Sequence, residues 1–186
     1  MRRIVATTYM TLDGVIKDPH EWSGPYFDDD AGTYSTERLF ASDALLLGRK
    51  TYQGFAEAWP TMTEEGDFGK KMNSITTYVV SSRLKKAEWN DATIIRPSAL
   101  VEEVSKLKKQ DGQDILIYGV GRLAHTLLKE GLLDELEIWI HPVLVGNTDP
   151  DAQLIRKGST ASLELTRTRT TGSGVLVLTY APVKEK

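Results

Sequence analysis

Apolar residues fall in short blocks along the chain, and the spacing within the blocks changes from one block to the next. Ile4 to Met10 is β-branched and aromatic, with its charges left behind at Arg2 and Arg3, which predicts a strand. Continuous apolar runs recur at Ala44 to Leu47, Ile75 to Val80, Thr93 to Ile95 and Asp114 to Tyr118. Runs of this kind belong to strands buried on both faces, as in parallel sheets. Glu135 to Val145 is a longer run broken by Pro142, which points to an edge, a bulge or a change of direction. Helical spacing lies between these runs, over Tyr34 to Ala41 and about Thr51 to Ala58. A further helix capped by Ser98 places Leu100, Val101, Val104 and Leu107 inward, and one carrying Leu123, Ala124, Leu127 and Leu128 ends at Gly131. Ser162 to Thr170 and Gly174 to Ala181 alternate, and Thr171-Gly172-Ser173-Gly174 joins them as a hairpin. The order predicts an α/β fold: a mostly parallel central sheet, helices on both faces and an antiparallel C-terminal hairpin. Without repeats or a linker, residues 1–186 are expected to form one domain.

Three stretches lack periodicity. Lys17 to Thr33 is punctuated by Pro19, Gly24, Pro25 and Gly32 and carries His20, Trp22, Tyr26 and Phe27. A loop this long either covers a site or is pinned to the surface by its aromatics. Thr61 to Asn73 reads as loop plus a short helical piece, and Asn147 to Gly158 as loop.

Composition narrows the chemistry. The 186 residues are 40% hydrophobic and 26% charged, enough for one substantial core. A net charge of −3 gives no basic footprint for nucleic acid. No cysteine occurs, which removes disulfides and thiolate metal sites, and His20, His125 and His141 are too far apart in sequence to suggest a metal. No apolar run approaches the roughly 18 residues of a membrane helix, and no h-region follows the N-terminal charges, so a cytoplasmic location away from membranes is expected.

Candidate chemistry sits where strands give way to helices. After Leu47 come Gly48, Arg49, Lys50 and Thr51: a glycine that admits a ligand to the backbone, two cations and a hydroxyl at a helix N-terminus. That suits a phosphate, although a plain strand–turn–helix with solvated cations has the same pattern. Ser81, Ser82 and Arg83 follow the next run, and Gly119, Val120, Gly121, Arg122 and Leu123 follow Tyr118. Ligands of such sheets lie beyond the carboxyl ends of the strands. Three anion-suited turns on one rim suggest a ligand with several phosphates, such as a dinucleotide. Gly119 to Ala124 also fits the G-x-G-x-x-A fingerprint, but at least three strands precede it and no acidic residue ends the following strand, so a Rossmann topology is not expected.

Segments 45–52 (L-L-L-G-R-K-T-Y), 79–83 (V-V-S-S-R) and 114–123 (D-I-L-I-Y-G-V-G-R-L) resemble, in order and spacing, the three cofactor-binding segments of the three-layer dihydrofolate reductase fold. Segments 10–14 (M-T-L-D-G) and 131–146 (G-L-L-D-E-L-E-I-W-I-H-P-V-L-V-G) are closer to the reductase domain of the bifunctional riboflavin-biosynthesis deaminase/reductase and its stand-alone relatives. The resemblance implies an NADPH-dependent reductase transferring hydride to a C=N or C=O of a pyrimidine- or pterin-like molecule. On matching positions, Arg49, Lys50 and Thr51 would hold the 2′-phosphate and pyrophosphate region. Ser81, Ser82 and Arg83 would contact the adenosine ribose phosphate, and Gly119 to Leu123 would offer backbone donors to the pyrophosphate. Relatives pair through their long C-terminal strands, so a homodimer is expected. Riboflavin-type reductases usually show Glu-Gly-Gly where this chain has Tyr118-Gly119-Val120, a departure that opens the substrate question and makes Tyr118 a candidate substrate contact.

For the proton donor, Asp13 after the first strand is the first candidate, if partial burial raises its pKa; the alternative is a carboxylate capping a turn. Dihydrofolate reductases use an acid on the first helix, where Asp28, Asp29, Asp30 or Glu37 can fall. Trp22 and Trp59 are candidate walls for a flat ring. Two other functions fit the same residues: a pteridine or folate reductase, and a non-catalytic nucleotide-binding or oligomerising protein.

Overall fold

The structure, a computed structural model, describes residues 1–62, 66–154 and 160–183. Strands β1 (Ile4–Thr11), β2 (Ser42–Gly48), β3 (Thr76–Val80), β4 (Thr93–Ile95), β5 (Asp114–Tyr118), β6 (Glu135–His141), β7 (Leu163–Thr170) and β8 (Leu176–Pro182) form one sheet, in the order β4-β3-β2-β5-β1-β6-β8-β7. The first six in that order run parallel; β8 is antiparallel to β6, and β7 to β8. Helices α1 (Asp29–Phe40), α2 (Arg49–Ala58) and α3 (Gly66–Met72) cover one face, and α4 (Leu100–Lys109) and α5 (Arg122–Lys129) cover the other. The three-layer dihydrofolate reductase-like architecture follows from the apolar runs. Alternate residues of a strand feed opposite faces, so Val5, Leu45, Leu47 and Leu116 pack under α1 to α3, while Ile4, Ala6, Leu46, Ile115 and Ile117 pack under α4 and α5.

The elements differ from the sequence expectation mainly at their starts. Helix α1 begins at Asp29, inside the stretch expected to be loop. Asp28 is the reason: its side chain accepts from the Ala31 N–H at 2.9 Å and caps the helix. What remains of that loop holds two short turns, Pro19–Glu21 and Gly24–Tyr26. Ser98 is not a cap; it lies within the turn Pro97–Ala99, and α4 starts after Ala99 without a side-chain cap. Strand β6 stops at His141, before Pro142, whose missing N–H cannot extend the ladder. Parts of two expected loops, 63–65 and 155–158, lie outside the described residues.

One feature of the register shapes everything near the carboxyl ends of the strands. β1 pairs with β5 only from Ile4↔Ile115 to Thr7↔Tyr118, but with β6 from Val5↔Glu135 to Thr11↔His141. Gly119 turns the chain out of β5 with φ +85°, after its N–H bonds Thr7 O at 2.7 Å. Beyond that point Thr8 to Thr11 keep a strand neighbour on one side only, and the sheet opens into a cleft at its centre. The same register sets Tyr118, Thr7 and Glu137 in one row across β5, β1 and β6, neighbours about 4.8 Å apart on the face covered by α1 and α2.

Candidate active site

The three turns singled out in the sequence follow β3, β2 and β5, which are parallel neighbours, so they share one rim. Two helices start there without a side-chain cap: α2 behind Gly48 and α5 behind Gly121. Their first-turn N–H groups are therefore left for another acceptor. A Cβ built on either glycine would meet nothing within 4 Å. At Gly119, by contrast, a Cβ would sit 3.8 Å from Thr51 Oγ1, which places the β5 and β2 turns against each other. The side chains of Lys50, Arg83 and Arg122 are exposed and make no hydrogen bond or ion pair among the described residues, while Arg49 donates to Gln53 Oε1 at 2.8 Å along α2. Ser81 is buried, and its hydroxyl accepts from the N–H groups of Arg83 and Leu84 at 3.1 and 3.0 Å, so it shapes the turn; Ser82 is exposed. Val120 and Leu123 put their side chains in the core under α5 and have only backbone to offer the rim.

Under the cleft lies a polar cluster that sequence reasoning missed. Glu137 is fully buried. Its Oε1 accepts from Thr7 Oγ1 at 3.0 Å and Trp139 Nε1 at 2.9 Å, and its Oε2 from Tyr34 OH at 2.6 Å and an Arg38 Nη2 at 3.1 Å. Burial alone would lower the Arg38 pKa, but Glu137, Tyr34 and Glu135 outweigh it and the guanidinium is held charged. Burial pushes the phenol of Tyr34 up, and Glu137 adds to the shift. Tyr9, whose hydroxyl meets Ser35 of α1, and Tyr118 are likewise raised by burial, so both stay protonated. The Tyr118 ring stands nearly edge-on to Phe55 of α2, centroids 5.4 Å apart. A signal was present in the sequence: Glu135 and Glu137 interrupt an otherwise apolar strand, and a carboxylate in such a run must find donors. Tyr34 and Arg38 occupy the inner face of α1, together with Ala31.

Asp13 does not provide the raised-pKa acid expected of it. Its carboxylate is held below the usual range by the Thr11 hydroxyl, then by the Gly146 and Val145 N–H groups. It ties the turn after β1 to the segment after β6. Three of the four other candidate acids are engaged elsewhere, and the fourth, Asp29, is exposed. Asp28 caps the helix and accepts from Ser173 N–H, Asp30 accepts from Gly172 N–H, and Glu37 pairs with Arg169. Trp22 and Trp59 lie in different ring clusters. Trp59 packs on Phe55 and Phe68, whereas Trp22 packs edge-on to His141, which also meets Tyr9 and Tyr26.

Residues 2–177 match the family described as the RibD C-terminal domain. The chain belongs to that family. Among curated proteins, this RibD-type domain is 34% identical to the uncharacterized Bacillus subtilis protein YyaP over 185 residues, 96% of this chain and 94% of the relative. Solved structures share its fold. A pyrimidine reductase-like protein from Corynebacterium diphtheriae superposes with TM-score 0.67 at 15% identity, covering 99% of this chain and 93% of that one. Dihydrofolate reductase from Enterococcus faecalis, complexed with NADP(H), gives 0.62 at 17% identity, with 98% and 97% covered. The Thermotoga maritima bifunctional deaminase/5-amino-6-(5-phosphoribosylamino)uracil reductase gives 0.68 at 14% identity; this RibD-type domain covers 57% of it. No described helix is long and apolar enough to cross a membrane.

Two outcomes follow from the cluster. Arg38→Met strips the buried carboxylate of its charge partner and should lower stability by about 3–5 kcal/mol in urea unfolding, whereas a loss below about 1 kcal/mol would contradict the pairing. His141 is held below the ordinary histidine value by burial, against opposing backbone hydrogen bonds. The unfolded chain therefore binds more protons than the folded one as pH falls below about 6.5, so stability is fully present above that pH and declines on acidification. Wild type should lose more stability than His141→Phe between about pH 7.5 and 5.5; equal losses would contradict this assignment.

Proposed function

We propose that this RibD-type domain is an NADPH-dependent reductase acting on a C=N or C=O of a flat heterocycle, as in the reductase step of riboflavin biosynthesis. One observation carries the reading: two uncapped helix N-termini and unengaged cations line a rim that opens onto an aromatic cleft in the same sheet. The coenzyme, when bound, supplies the hydride. Gly48 to Thr51 and Gly119 to Leu123 would receive its pyrophosphate through backbone N–H groups and the Thr51 hydroxyl. Arg49 and Arg83 would grip a 2′-phosphate, since a guanidinium forks onto phosphate oxygens. The open space at Gly48 and Gly121 fits a close approach of phosphate to backbone.

The protein's own part is to bind, orient and exclude water. Phe55 and Tyr118 present apolar rings at the mouth of the cleft, with Trp59 behind Phe55 and Trp22 beyond His141 as outer walls. The Glu137–Arg38–Tyr34 cluster fixes α1 against β6 and so sets the width of the gap. The family membership and the NADP(H) complex of the Enterococcus enzyme support the coenzyme assignment.

NADPH oxidation against a panel of pyrimidines and pteridines tests the activity. Tight NADPH binding with no turnover on any of them would favour a nucleotide-binding protein instead. Arg49→Ala and Arg83→Ala should each weaken NADPH by about tenfold or more and NADH by less than about twofold in calorimetric titration. Equal losses for the two coenzymes would refute the 2′-phosphate role.

A further inference from the structure

We propose that the Tyr118 hydroxyl is the proton donor that completes the reduction in the cleft, in place of a carboxylic acid. This deepens the reductase reading and rests on it.

When the carbon of a C=N or C=O bond takes a hydride, the π pair moves to nitrogen or oxygen, and that atom must then take a proton. The donor has to stand at the opening, hold a proton at neutral pH and be free to give it up. The acids around the cleft fail on one count or another. Glu137 is fully buried and accepts from Thr7, Trp139, Tyr34 and Arg38. Asp13 is held ionised by the Thr11 hydroxyl and the Gly146 and Val145 N–H groups. Asp28 and Asp30 hold the hairpin, Glu37 pairs with Arg169, and Asp29 faces solvent. His141 is buried, with Nδ1 3.0 Å from Trp139 O, and burial favours its neutral form.

Two phenols remain on this face where the strands part. Tyr118 is the last residue of β5 paired with β1, and Tyr9 stands two residues past its partner Thr7, on the same face of β1. The Tyr9 hydroxyl is engaged with Ser35 of α1. The Tyr118 hydroxyl makes no hydrogen bond among the described residues, and although the side chain is half-buried its oxygen keeps contact with solvent. The ring, nearly edge-on to Phe55, is held in place by packing rather than by its polar tip.

The charges facing Tyr118 suit the role. Burial, Tyr9 of β1 and Glu137 of β6 all raise its pKa, against Arg38 of α1, so the phenol keeps its proton across neutral and alkaline pH. The nitrogen or oxygen anion left by hydride addition is a stronger base than a phenolate, so the transfer runs downhill. The new lone pair on the substrate takes the proton as the Tyr118 O–H bond breaks, and water entering through the opening returns a proton to the phenolate. Each turnover then consumes one NADPH and one proton from solvent.

The test uses the full chain, NADPH and whichever pyrimidine or pteridine of the panel is reduced fastest. Tyr118→Phe keeps the ring against Phe55. It should lower kcat by about 100-fold or more and shift the calorimetric Kd for NADPH by less than about twofold. Tyr9→Phe should lower kcat by less than about fivefold. Tyr118→Glu places a carboxylic acid at the same point, so its kcat should climb as pH falls from about 8 to 5.5, where the wild type stays flat. A loss below about fivefold in Tyr118→Phe, a larger loss in Tyr9→Phe, or a flat profile in Tyr118→Glu would overturn the proposal and leave the reductase reading standing. Binding of NADPH by a wild type that reduces no compound of the panel would overturn both.

Discussion

The early end of the β1–β5 ladder is the constraint on which the rest depends. Four residue pairs, Ile4↔Ile115 to Thr7↔Tyr118, join these strands, and then β5 leaves through Gly119 while β1 continues beside β6. A central strand with a bare edge exposes backbone donors and acceptors that a buried sheet would otherwise pair. The opening is therefore a place where a ligand can stand in for the missing strand. Because β2 lies directly beside β5, and β3 beside β2, their turns reach the same lip. Position in the strand order brings together segments more than thirty residues apart.

The buried carboxylate is the second element. A fully desolvated Glu137 is unfavourable unless every lone pair finds a donor, and it draws those donors from four places: Thr7 on β1, Trp139 two residues along its own strand, and Tyr34 and Arg38 on α1. Replacing such a network by apolar residues is often neutral or stabilising, so stability alone does not account for it. What it does fix is the helix: two successive turns of α1 are bound to one side chain at the centre of the sheet. Above it, the Trp139 ring packs against Tyr34 of the same helix and against Tyr9 of β1, at ring distances of ordinary core pairs. The floor of the cleft is thus tied together by hydrogen bonds from β1, β6 and α1.

Much of the architecture was legible because most of the parallel strands announced themselves by short apolar runs. Thr93 to Ile95 and Asp114 to Tyr118 begin and end where the runs do. The rim turns were legible for the same reason: glycine, hydroxyl and cation residues stand where those runs stop. The start of α1 was not, because its signal is a single cap, Asp28, amid other acidic residues, and the helix carries Gly32 and Thr33 in its first turns. Tyr34 and Arg38 fall inside the helix expected over Tyr34 to Ala41, but nothing local marks them as partners of a carboxylate about a hundred residues further along the chain. Asp13 misled for a different reason. An acid after a strand looks the same in sequence whether it faces a cleft or a loop, and only the N–H groups of Val145 and Gly146, over 130 residues away in sequence, decide between them.

The most direct test of the central claim, that three separated turns form one coenzyme lip beside the parted strands, is amide hydrogen exchange with and without NADPH. Slowed exchange confined to residues 48–51, 81–83 and 119–123 and the β1 edge at 8–11 is the expected result. Protection of only one of these segments, or protection centred on the opposite ends of the strands near Arg3, Asp114 and Glu135, would contradict it.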